Sequence, residues 1–339
     1  MKLVTFIPSG SASSDPRAGW VGAIVNDRVV DLLAAAGSVP GAAGDLVARL
    51  GSGYPPGAII ALLEGGDSAL ESLKTIIEHI AGDEALLAAS PTVADAHIVA
   101  PVPRPTSMRD GYAFRQHVEA ARRNRGVPMI EEFDNFPIFY FTNHNAVTGP
   151  GDVEVMEEHL NKLDFELECA IVIGREGRNI KASEADEYIA GYTIMNDWSA
   201  RYLQMEEMKL NLGPAKGKDF ATSIGPFLAT RDELAAKRIP GEHGERYDLT
   251  MITRVNGTEV SRGNLKDMSW TFAQIIERAS YGVTLYPGDV IGSGTVGTGC
   301  FLELNGSKIT DNWWLKGGDV VECEIDMLGV LRNTIVVVE

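Results

Sequence analysis

Residues 163–173 alternate with period two: Leu163, Phe165, Leu167, Cys169, Ile171 and Ile173 fall on one side, Asp164, Glu166, Glu168 and Ala170 on the other. Successive strand side chains point to opposite faces, so this pattern predicts a strand with one apolar face and two glutamates standing side by side on the other. Further strand-like runs lie at 137–142, 191–195, 225–229, 249–254, 288–293, 300–304 and 318–338. Residues 20–25 and 28–32 flank Asn26-Asp27 and read as a β-hairpin. Apolar residues at 69, 70, 73, 76, 77 and 80 have helical spacing and predict a helix over 68–80. Shorter helices are expected at 113–123, 183–189, 198–208 and 269–279. Pro101, Pro103 and Pro105 form a stiff extended connector, because proline fixes φ and disfavours helix before it. They mark an expected boundary between a small N-terminal domain, 1–100, with strands and helices, and a larger, strand-dominated domain, 101–339.

Composition narrows the function classes. A formal net charge of −17 over 339 residues opposes binding to nucleic acid or to an anionic membrane, both of which need basic patches. No apolar run approaches the ~20 residues that span a bilayer, and the first residues carry no secretory signal pattern. Cys169, Cys300 and Cys323 have neither metal nor redox spacing and fit a reducing cytoplasm. No glycine-rich phosphate loop follows a strand.

The chemistry gathers around Asp110, Glu166, Glu168 and Asp197. Neighbouring carboxylates raise each other's pKa unless a cation lies between them, and a divalent ion is the simplest such cation. An all-oxygen donor set suits Mg²⁺, Ca²⁺ or Mn²⁺ better than zinc. The competing reading is a solvated acidic face, common on antiparallel sheets.

Six phrases occur in one order. They are Arg109-Asp110-Gly111-Tyr112-Ala113-Phe114-Arg115-Gln116-His117, the Leu163–Glu168 run, Met195-Asn196-Asp197-Trp198-Ser199-Ala200-Arg201 with Gln204, Gly217-Lys218-Asp219-Phe220, Gly225-Pro226 and Ser293-Gly294-Thr295. Together they resemble the fumarylacetoacetate hydrolase superfamily over residues 105 to 339. The resemblance implies an α+β, strand-rich fold: a rolled mixed β-sheet catalytic domain with a small β-barrel-like N-terminal domain. It implies Asp110, Glu166, Glu168 and Asp197 as metal ligands and His117 as the water-activating base. Lys218 and Gln204 are implied as further catalytic groups, and Tyr112, Arg125 and Thr295 as substrate-binding ones. Tyr140 is a further pocket candidate, and Arg201 a support for the ligand carboxylates. A homodimer acting on a small oxo acid is implied as well.

The resemblance implies cleavage of a carbon–carbon bond in a β-diketo acid of fumarylacetoacetate or acylpyruvate type, in aromatic catabolism. The alternative is a decarboxylase, hydratase or isomerase of a 2-oxo acid using the same metal–enolate chemistry. One departure bears on this choice. The family's hydrolases carry a glutamate soon after Ser-Gly-Thr to orient the histidine, whereas residues 296–301 here contain no acid. Glu303 reads as part of a strand, Phe301–Leu304, which leaves Glu119, Glu131 and Glu132 as substitutes.

Overall fold

The computed structural model describes residues 1–11, 15–37, 39, 57–124 and 126–339. Two mixed sheets dominate. Among the described residues the larger has eleven strands, and its main path runs Arg28–Asp31, Trp20–Val25, Lys2–Ile7, Thr222–Thr230, Ile189–Asp197, Leu167–Ile173, Val290–Gly292, Met108–Gly111 and Phe139–Phe141. The second sheet orders Thr258–Asn264, Thr250–Val255, Val320–Ile325, Gly329–Val338 and Gly151–Met156. Val290–Gly292 pairs with Met108–Gly111 in parallel, while most other pairs are antiparallel. No helix among the described residues is long and apolar enough to cross a membrane.

The alternation at 163–173 has a three-dimensional cause. Leu167–Ile173 is buried along its whole length between Ile189–Asp197 and Val290–Gly292. Leu167, Cys169, Ile171 and Ile173 enter the main core, while Ala170 and Val172 face a second core shared with the N-terminal helices. The acidic positions therefore lie inside the molecule, and the solvated-face reading fails. The run is also two pieces: Leu163–Asp164 pairs with Ser199–Ala200 before the longer strand begins.

The N-terminal hairpin forms at Trp20–Val25 and Arg28–Asp31, with Asn26 and Asp27 at φ 48° and 61°, the left-handed pair that a two-residue turn of this hand requires. Its partner, Lys2–Ile7, pairs with Thr222–Thr230, so the first strands extend the sheet that holds the later ones. The predicted helices appear as Gly66–Ala81, Arg115–Asn124, Arg201–Glu207 and Phe272–Ser280. The one at 183–189 shrinks to Ala182–Ala185 followed by a 3₁₀ turn, Asp186–Tyr188. The clearest correction falls at 300–304. Phe301–Gly306 is a helix, not a strand, packed against Arg115–Asn124. Phe301 and Leu304 are its buried apolar residues, an i, i+3 pair.

Candidate metal centre

Sheet register assembles the acidic site from separate segments. Asp110 lies opposite Gly292, Gly292 opposite Ala170, and Glu168 opposite Met195, two residues before Asp197. The row closes because position 292 has no side chain. A Cβ there would lie 2.7 Å from Asp110 Oδ1 and 2.8 Å from Glu168 Oε2, so the two carboxylates fill the space a larger residue would occupy. Gly294 N–H donates to both, at 3.2 Å and 3.0 Å. One oxygen from each of Asp110, Glu166, Glu168 and Asp197 lies within 4.8 Å of the others, and all four residues are buried.

Two cations meet this cluster. The Lys218 ammonium donates to Glu166 and, at 2.6 Å, to Asp197 Oδ2. Arg201 donates at 2.7 Å to Glu166 Oε1 and at 2.8 Å to Asp164 Oδ2. Burial disfavours ionisation of Glu166, but Lys218 and then Arg201 outweigh it and pull its pKa below the ordinary value. For Asp110, burial and then the nearby Asp197 outweigh the pull of Lys218 and push it up to about 7. Burial and Asp110 hold Glu168 well above the usual carboxylate range. Burial also raises Asp197, with Lys218 opposing.

A second constellation adjoins the first. His117, on the helix Arg115–Asn124, is 6% exposed, and its Nδ1 lies 2.7 Å from Glu303 Oε2. A carboxylate accepting from Nδ1–H leaves the lone pair on Nε2. Tyr112 meets the imidazole edge to face, with ring centroids 5.8 Å apart. Glu303 thus fills the position that reading 300–304 as a strand had left empty. Glu119, considered instead, pairs with Arg115 at 2.7 Å.

A family model described as fumarylacetoacetate (FAA) hydrolase C-terminal matches residues 106–336. The chain belongs to the fumarylacetoacetate hydrolase family. It is 32% identical to the mitochondrial oxaloacetate tautomerase Fahd2a of Rattus norvegicus, over 83% of this chain and 80% of that protein. It is 34% identical to the human mitochondrial oxaloacetate tautomerase FAHD2A over 70% of this chain and 69% of that one. Mitochondrial relatives do not fit the expectation of an exclusively cytoplasmic location. The fold matches that of maleylpyruvate hydrolase from Sphingobium sp. SYK-6 across the full length of both chains, with a TM-score of 0.68 at 21% identity. The fumarylacetoacetate hydrolase of Exiguobacterium antarcticum matches likewise, with a TM-score of 0.67 at 23% identity.

Within this family setting, the donor chemistry fits a divalent ion. Among the described residues, the ion pairs to these five carboxylates (Asp164 included) come from two cations, Lys218 and Arg201. Burial and their mutual repulsion disfavour the ionised forms of Asp110 and Glu168, and a further cation would relieve that cost. Residues expected at the pocket sort clearly. Tyr140 donates its hydroxyl to Asp197 Oδ2 at 2.5 Å, so it braces a carboxylate. Thr295 Oγ1 lies 3.5 Å from Glu168 Oε1. Gln204 accepts from Arg201 Nη1 at 3.0 Å and packs where a Cβ on Gly217 would lie 2.6 Å from it. Arg125 lies outside the described residues.

Asp164 is the residue whose role the sequence left unread. Wholly buried, it accepts from Arg201, from Phe301 N–H at 2.7 Å and from Leu302 N–H at 2.9 Å. It therefore caps the short Glu303 helix and, through Arg201, ties it to Glu166. In Asp164→Asn an amide NH₂ meets these donors and the buried Arg201 loses a counter-charge, a loss of about 3 kcal/mol of folding stability. Urea unfolding of the purified variant measures it, and a midpoint equal to wild type would refute the tie.

The raised pKa values of these carboxylates also set a pH dependence. A cation needs Asp110 and Glu168 ionised, so its binding releases protons. Asp110 is raised from 3.8 to about 7 in the folded, metal-free protein. Its contribution to metal-free stability is full below its unfolded value and disappears as pH rises towards 7. The gap in melting temperature between Mg²⁺-loaded and metal-free protein is expected to widen from pH 5 to pH 8. Scanning calorimetry across that range checks this, and a constant gap would contradict it.

Proposed function

We propose that this chain is a divalent-metal-dependent enzyme that interconverts the keto and enol forms of a 2-oxo dicarboxylic acid of oxaloacetate type. The observation that carries the reading is the Glu303-held imidazole of His117 beside the four-carboxylate cluster. Relatives above 30% identity bear the name oxaloacetate tautomerase, which supports this reaction class. Asp110, Glu166, Glu168 and Asp197 would hold the ion. A bound divalent cation supplies the electrophilic pull on the 2-oxo group that makes the neighbouring C–H acidic. Nε2 of His117 takes that proton, and Glu303 stabilises the imidazolium that results. The same imidazole returns the proton to oxygen or carbon. Lys218 has three N–H donors, two spent on Glu166 and Asp197, leaving one for a substrate oxygen. Mg²⁺, Mn²⁺ and Ca²⁺ all suit the donor set. The Sphingobium hydrolase has been solved with manganese(II) and pyruvate, which supports a 2-oxo acid beside such an ion. A homodimer remains part of this proposal.

Hydrolysis of a β-diketo acid is the second reading. The same dyad favours it, because a carboxylate-oriented histidine is equally equipped to take a proton from water. The deciding experiment gives the Mg²⁺- or Mn²⁺-loaded enzyme enol-oxaloacetate and, separately, an acylpyruvate. Ultraviolet loss of the enol beyond the metal-only rate, without CO₂ release, is the expected result. Release of two acids from the acylpyruvate instead would select hydrolysis, and no acceleration of either would sink both readings.

A further inference from the structure

Beside the carboxylate quartet lies a group of different chemical character. His117, Cys300 and Glu303 each offer a ligand atom within 4.8 Å of the others. All three are buried: Cys300 is 0% exposed, Glu303 3% and His117 6%. Cys300 is a free thiol immediately before the Glu303 helix, and its carbonyl accepts from Leu304 N–H at 3.1 Å. The helix therefore fixes the thiol and the carboxylate relative to each other.

We propose that His117, Cys300 and Glu303 form a second metal site, selective for borderline-soft ions such as Zn²⁺, through which such an ion silences the catalytic base. Nitrogen, sulfur and a single carboxylate oxygen are the zinc mixture, whereas four carboxylates suit Mg²⁺, Ca²⁺ or Mn²⁺. Three protein donors leave the fourth tetrahedral position for water. Tetrahedral bonds of about 2.0–2.1 Å to nitrogen and oxygen separate those two atoms by about 3.3 Å. Nδ1 and Oε2 now stand 2.7 Å apart, so a small rotation of the Glu303 side chain opens the space as the ion replaces the shared proton. Charge and protons balance simply. The thiol loses its proton to solvent, and the neutral imidazole carries its one proton on Nε2. That tautomer presents an N–H where the reaction needs a lone pair, so the enzyme stops.

The existence of the site does not depend on which oxo acid is turned over; only the inhibition does, and it rests on His117 as the base. The experiment separates the two. With the carboxylate site saturated by Mg²⁺, Co²⁺ is added to wild type and to Cys300→Ala. Wild type is expected to show the near-ultraviolet thiolate-to-cobalt absorption of a tetrahedral site, and the variant none. Zn²⁺ titrated against Mg²⁺-dependent turnover is expected to inhibit wild type, with Cys300→Ala needing about tenfold more ion or more while keeping its Mg²⁺-dependent rate. Cys300→Ser, closer in volume, repeats the measurement if the alanine variant unfolds. Absence of the cobalt absorption in wild type overturns the site. A cobalt absorption without any shift in zinc inhibition overturns the silencing of the base. If no substrate turns over, the absorption and a dialysis count of Zn²⁺ per chain still decide the site.

Discussion

Glu168→Gln protein is expected to lose divalent-metal retention and turnover together. The amide keeps the shape of a protonated glutamate, the form that burial and Asp110 already favour without a cation. The metal-free fold should therefore survive, with Gly294 N–H still donating to a carbonyl oxygen at that place. What disappears is one anionic ligand of four. Transition-state charge stabilisation of several kcal/mol goes with it, and about 4 kcal/mol amounts to roughly a thousandfold in rate. Calorimetric titration with Mg²⁺ or Mn²⁺, run beside an activity assay, tests the pair of losses. Wild-type affinity with wild-type turnover would remove Glu168 from the centre.

His117→Ala should separate what Glu168→Gln joins. His117 is not among the four carboxylates, so the affinity for Mg²⁺ should stay within about twofold of wild type. Turnover should fall by about 10²–10⁴, the usual worth of a placed general base. Glu303→Gln is expected to fall part of the way, since it leaves the imidazole present and removes the anion that orients it at 2.7 Å. Should metal affinity collapse along with turnover in His117→Ala, the histidine would be a structural part of the centre rather than its base.

These two predictions draw on different kinds of legibility. Alternation from Leu163 to Ile173 placed Glu168 correctly relative to its apolar neighbours, because strand geometry acts over two residues. The hairpin at Asn26-Asp27 and the helix Gly66–Ala81 were visible for the same local reason. What could not be seen was depth: the strand is central and buried on both faces, a property of Val290–Gly292 arriving from over a hundred residues away. Gly292 itself carried no signal, although the approach of Asp110 to Glu168 depends on its missing side chain. Phe301–Leu304 misled because a short apolar run fits strand and helix alike. The spacing of Phe301 and Leu304 was the clue in favour of helix, and only the fold brings Glu303 to a histidine 186 residues earlier.

The six-residue turn of helix that carries Glu303 is too short to hold itself in water and borrows its position from Asp164. For anyone engineering the enzyme towards a new substrate, positions 164, 201 and 303 therefore behave as one inherited block. A mutant library that varies any of them singly will mostly sample misaligned imidazoles, while diversity placed elsewhere around the site leaves the hold on His117 intact.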